Sequence, residues 1–204
     1  VESTDSTPKT SPLLTFNGDV FIPDGSNGEL SVVLLGTPNS GGSVPIVVRN
    51  RTGQTYVGLE ANGIARNGEG ELIASGSSQG FTPTRLHPGE WAFGYVYFGS
   101  AELDENSDYE ITVSGNDPNS WTDSFYTDLQ IVEFNQVDGT FERQVVGLVK
   151  NQTDSESDWS LGVNVICFDS QGRNINSTNW GSVDASDSLS PGAVAPFGVG
   201  IGFL

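Results

Sequence analysis

Val48-Arg49-Asn50-Arg51-Thr52-Gly53 returns later in the chain as Val149-Lys150-Asn151-Gln152-Thr153-Asp154. Working outward, Leu59 to Gly70 (LEANGIARNGEG) lies over Leu161 to Gly172 (LGVNVICFDSQG), with Leu59/Leu161, Asn62/Asn164, Ile64/Ile166, Asn67/Asp169 and Gly70/Gly172 in step. Leu86-His87-Pro88-Gly89 then matches Leu189-Ser190-Pro191-Gly192, and Phe93 and Phe197 follow shortly after. The offset drifts only from about 101 to about 104, so order is kept and gaps are small. A period this long, with apolar strand runs inside it, implies two copies of a whole domain instead of a solenoid of short units.

The 204 residues then divide into two copies of roughly 100 each, and a copy that size can bury a core without metals or disulfides. Twenty-six Gly and ten Pro, with much Ser, Thr and Asn, fit many short strands joined by turns. No window repeats apolar residues at helical spacing, so the chain reads as all-β. Strand runs are expected at Leu13–Ile22, Leu30–Leu35, Val44–Arg49, Tyr56–Arg66, Glu71–Ser75, Trp91–Phe98 and Tyr109–Val113. The second copy is expected to supply Leu129–Phe134, Phe141–Lys150, Trp159–Phe168, Arg173–Ser177 and Val194–Phe203. This spacing predicts two antiparallel sheets packed face to face in each copy, with a barrel as the alternative. Residues 1–12 form a polar tether, 13–117 the first sandwich and 121–204 the second. Along Leu161 to Phe168 apolar residues occupy both alternating sets, which predicts cover on both faces of that strand.

Eight Lys plus Arg stand against twenty-six Asp plus Glu, a formal charge of -18. Nucleic acid and anionic membrane surfaces need cationic patches, so both are excluded as expected partners. Scarce lysine and abundant acid suit high salt, where self-repulsion is screened; ordinary acidic solubility is the alternative. No stretch is apolar enough to be a membrane helix. The chain opens at Val1 and holds no Met, which reads as a processed form. The stretch VESTDSTPKTSP reads as a tether following an export or lipid-attachment cleavage site upstream of Val1.

The pattern resembles the FxLYD domain, which carries an apolar-x-apolar-aromatic-Asp strand end, a turn Gly, and a Leu-x-Pro-Gly turn before a Phe-containing strand. Val165-Ile166-Cys167-Phe168-Asp169 stands at the name-giving motif, with Val for Phe and Cys for Leu. In the first copy Gly63-Ile64-Ala65-Arg66-Asn67 lacks the aromatic and the acid, and only its flanks match. The resemblance implies two tandem immunoglobulin-like antiparallel β-sandwich domains, following a short disordered or extended N-terminal segment. It also implies an exported bacterial or archaeal surface protein, with no common catalytic site.

Candidate chemistry is sparse. Gly76-Ser77-Ser78-Gln79-Gly80 fits G-x-S-x-G, but the nucleophile elbow needs a following helix and a histidine. The lone histidine, His87, sits in a turn where the second copy has Ser190, and Gly76–Gly80 reads as a loop. The lone cysteine, Cys167, matches Ala65 and reads as a small buried hydrophobe. Acids at alternate positions give calcium candidates Asp104, Asn106, Asp108, Asp154 and Asp158, although the loops lack the Gly and Glu of a calcium hand and read by default as solvated. Asn50, Asn151 and Asn176 are glycosylation candidates; as Asn50 and Asn151 share one turn position, a plain turn role competes. Trp91 and Trp159 lie in strand patterns and read as core, not as a carbohydrate face.

Copy one follows its Phe strand with DYEITV, whereas the second has no matching segment before Leu204, so its sandwich is expected to expose an edge. The functional expectation is a non-enzymatic, cofactor-free surface structural or interaction protein with protein partners. One alternative is a filament subunit in which Leu13–Ile22 or the tether of another copy adds to that edge. The other is a carbohydrate- or calcium-binding module.

Overall fold

The computed structural model describes residues 20–104, 106–118, 129–140, 142–158, 161–169, 172, 179–183 and 188–202. No described residue is helical, and every strand pair is antiparallel. The first half contributes β1 (Leu30–Leu35), β2 (Ser43–Asn50), β3 (Tyr56–Arg66), β4 (Leu72–Thr82), β5 (Arg85–Leu86), β6 (Trp91–Tyr97) and β7 (Asp108–Asn116). They hydrogen-bond in the order β1-β2-β6-β4-β3-β5, with β7 on β3.

The two layers of this half are one continuous sheet rather than two separate ones. β4 pairs with β3 through its first part and with β6 through its second, and Ser77 faces both Asn62 and Tyr97. An irregularity between Ser78 and Phe81 lets the strand change layers, as bulged corner strands do. Gly76 is required at this crossing, because an added Cβ would stand 2.4 Å from the Tyr97 carbonyl oxygen. The Gly/Ser composition of residues 76–80 suggested a loop; here it belongs to a strand that must let another backbone come close.

Alternation sets the core. Val44, Ile46 and Val48 of β2, Leu59, Ala61 and Ala65 of β3, and Ala92 and Val96 of β6 close around Phe81, Leu86 and Phe98. Tyr109, Ile111 and Val113 of β7 pack against the same cluster. β2 is covered on both faces: Val47, on its other side, forms a separate cluster with Ile22 and Phe93.

The second half contributes β8 (Leu129–Asp138), β9 (Arg143–Asn151), β10 (Ser157–Asp158), β11 (Gly162–Val165), β12 (Asn179–Ser182), β13 (Ser188–Leu189) and β14 (Val194–Gly202). β8, β9 and β14 repeat β1, β2 and β6 residue for residue. Leu129 pairs with Asn151 as Leu30 does with Asn50, and Val194 with Lys150 as Trp91 does with Arg49. Even the irregularity recurs, at Ile131/Glu133 as at Val32/Leu34. β10–β13 repeats β3–β5, and β11–β12 repeats β3–β4. A bridge from Val183 to Phe197 ties this last pair to β14. Its own core gathers Val145, Val149, Val163, Cys167, Leu189, Ala195, Phe197 and Val199.

The register corrects one correspondence. Phe93 lies opposite Val47, and the residue in that place in the second half is Pro196, opposite Leu148; Phe197 instead replaces Gly94. A shift of one residue changes the face, so Phe93 points outward and Phe197 into the core. The bulk is exchanged across the strands: Ile46 faces Gly94 in the first half, whereas Gly147 faces Phe197 in the second.

The halves touch. Ile166 and Phe168 pack with Val20, Val33, Leu34 and Trp91 against the Ile22–Val47–Phe93 cluster, and the Phe93 and Phe168 rings meet edge-on at 6.5 Å. Both faces of the 161–168 run are therefore used, as its sequence suggested. Of Leu13–Ile22, residues 13–19 lie outside the described residues, and 20–22 pair in no strand. Phe141, Trp159, the Arg173–Ser177 run and Phe203 lie outside the described residues as well.

Candidate functional site

Asn50 and Asn151 do the same work in each half. Both are fully buried at the end of the second strand of their half. Asn50 Nδ2 donates to the Gln54 and Leu86 carbonyls at 2.7 and 3.2 Å; Asn151 Nδ2 donates to those of Ser155 and Leu189 at 2.8 and 2.7 Å. The Oδ1 of each accepts from the amide and hydroxyl of Thr52 or Thr153. The Gly of each Leu-x-Pro-Gly turn donates back to the same asparagine's carbonyl. The repeated letters thus close one turn onto another and satisfy buried polar groups. A glycan on Nδ2 would replace one of two donating N–H groups in a buried place, which supports the turn role for both asparagines. Asn176 lies outside the described residues.

The acidic loops are not brought together. Asp104 Oδ1 accepts from the Asn106 amide at 2.9 Å and the Ser107 hydroxyl at 3.1 Å, closing its own turn. Asp108 opens β7 opposite Arg66. Asp154 is an exposed turn residue, and Asp158 pairs with Ser188 through the backbone. Among the described residues no three His, Cys, Asp or Glu side chains gather as a metal site would need. Ser78 sits within β4, its Oγ accepting from the Ala61 amide at 2.9 Å, and His87 Nδ1 lies 3.2 Å from the Thr55 hydroxyl. Cys167 is buried in the second core, in the place Ala65 holds in the first.

A buried cation escaped the sequence reading. Arg49 stacks 3.9 Å over the Trp91 ring, donates to the Gly89 carbonyl and reaches Asp24 at 3.3 Å. Burial pulls its guanidinium below the usual value, and Asp24 pulls the other way. Trp91, read as core, thus covers an outer sheet face next to the N-terminal segment. The second half has Lys150 and Val194 in these places.

The described residues of the two halves differ at two equivalent surfaces. The outer face of the second half presents Val132 and Val194, 46% and 49% exposed, where the first half's Val33 and Trp91 pack with Val20, Ile22, Ile166 and Phe168. β11 pairs with β12 alone among the described residues, while β3 pairs with β4 and β7 on its two sides. No described helix is long and apolar enough to cross a membrane. Compared with known proteins, the chain matches no family model, no curated protein and no solved structure.

Proposed function

We propose that the chain is a non-enzymatic, exported surface protein of structural or interaction type, made of two tandem immunoglobulin-like units of the FxLYD kind. The observation that carries this reading is the unequal cover of equivalent faces. A sheet face sealed in the first half is left in the second with Val132 and Val194 in water, and such uncovered apolar faces mark interaction surfaces. The strong acidity of the chain supports a protein partner rather than a polyanion. Immunogold labelling of unpermeabilised cells tests the reading: gold on the outer surface is expected, and label seen only after permeabilisation would overturn it.

A second, more specific reading is a filament subunit that takes a strand from its neighbour; it is favoured because, among the described residues, β11 pairs with β12 alone where β3 pairs with both β4 and β7. Removal of about the first twenty residues should then abolish polymers; filaments that persist would remove it. Under either reading, millimolar calcium or a glycan panel leaves the melting temperature unchanged; a rise with ligand would favour the carbohydrate- or calcium-binding alternative.

A further inference from the structure

We infer that the chain docks head to tail onto further copies of itself, repeating between copies the contact that its own two halves make. This rests on the interaction-protein reading above and names the partner. The contact within the chain has two sides. One is the outer sheet face of the first half, where Val33, Val47, Trp91 and Phe93 lie together on β1, β2 and β6. The other is a plug from the second half: Ile166 and Phe168, just beyond β11, pack onto that face while Cys167 between them turns into the second core.

Each half carries both a face and a plug, so one of each is left over. The spare face belongs to the second half, where Val132, Leu148, Val194 and Pro196 stand in the places of Val33, Val47, Trp91 and Phe93. Val132, Val194 and Pro196 are exposed. The spare plug belongs to the first half. Ile64 matches Ile166 and points away from the core, since Ala65 beside it points inward. Leu72 lies across from Arg66 at the same end of the β3–β4 pair, and it and Ile73 are 59% and 37% exposed. Arg66, in the place of Phe168, is paired with Glu110 at 3.0 Å, so docking need not bury a lone cation. Face and plug are both exposed, so they do not satisfy each other within one chain. Joining them from copy to copy is a heterologous contact that leaves a new face at one end and a new plug at the other. No strand leaves its sheet in this assembly. At a formal charge of -18 the copies repel, so docking through apolar groups should strengthen as salt rises.

Sedimentation velocity of the full chain over a range of concentrations, in about 1 M salt, tests this. The mean mass of the unmodified chain is expected to rise with concentration and to pass the dimer. Val194→Glu on the face and Leu72→Glu on the plug should each weaken association roughly tenfold or more. Both positions are exposed, so the melting temperature should hold; Val132→Glu and Ile73→Glu serve where it does not. An equimolar mixture of the face variant and the plug variant should stop at a dimer, because each supplies the side the other has lost. A mixture that stays monomeric, or a dimer of the unmodified chain that Leu72→Glu leaves intact, would overturn the inference. Polymers lost on removal of about the first twenty residues, yet kept in both glutamate variants, would overturn it in favour of strand donation. A chain monomeric at every concentration that still labels the cell surface would overturn it and leave the surface reading standing.

Discussion

Gly147 lies directly opposite Phe197, and a Cβ on the glycine would stand 2.7 Å from the ring and 2.2 Å from the Glu133 carbonyl oxygen. Gly147→Ala should therefore destabilise the chain by about 1–3 kcal/mol, the usual cost of overpacking. Gly198→Ala, one residue beyond Phe197 and with nothing within 4 Å of its added Cβ, should change stability by less than about 0.5 kcal/mol. Thermal or urea melts of the two variants give the comparison, and equal effects would show that the ring does not occupy this place.

Asn50→Ala and Asn151→Ala should each cost about 2–4 kcal/mol, since each leaves two main-chain carbonyls without their donors in buried or half-buried places. Similar losses at the two sites are expected because the bonding is the same. Denaturant titration measures this, and a loss confined to one site would break the equivalence of the halves.

Arg49→Lys should cost about 1–2 kcal/mol, because an ammonium cannot hold Gly89 and Asp24 together while lying flat on Trp91. Lys150→Arg, at the matching position opposite Val194, should be close to neutral. A melt of each variant at one salt concentration checks the contrast.

Burial pushes the Tyr109 hydroxyl above its ordinary value of 10.0. A raised value in the folded chain contributes stability that is complete below the unfolded value and is lost as pH rises through the folded one. The melting temperature should therefore fall as pH rises beyond about 10, and Tyr109→Phe should shrink that fall. Melts from pH 8 to 11.5 would show it; an unchanged alkaline slope in the variant would contradict it.

These residues show what the sequence could and could not reveal. Asn50 with Thr52, and Asn151 with Thr153, were legible because a turn needs those side chains whatever surrounds it. β3 and β6 were legible because one or both of their faces are apolar. The far end of β4 was hidden, since glycines that permit a layer crossing look the same in sequence as glycines in a loop. β12 (NWGS) was hidden by its short, mostly polar run. The bulk exchange between Ile46/Gly94 and Gly147/Phe197 misled the alignment by one residue, because two phenylalanines looked like partners while facing opposite ways. Arg49 on Trp91 was missed because strand cations usually point to water, and only the packing of residues 20–24 seals this one.

The central claim is that β8, β9 and β14 of the second half repeat, in register, the pairing of β1, β2 and β6 in the first. Amide hydrogen exchange of the full chain, resolved by residue, tests this most directly. Amides of β2 and of β9 at matching register positions should be strongly and similarly protected, because each strand is paired on both sides. Strong protection along β2 with fast exchange along β9 would contradict the account.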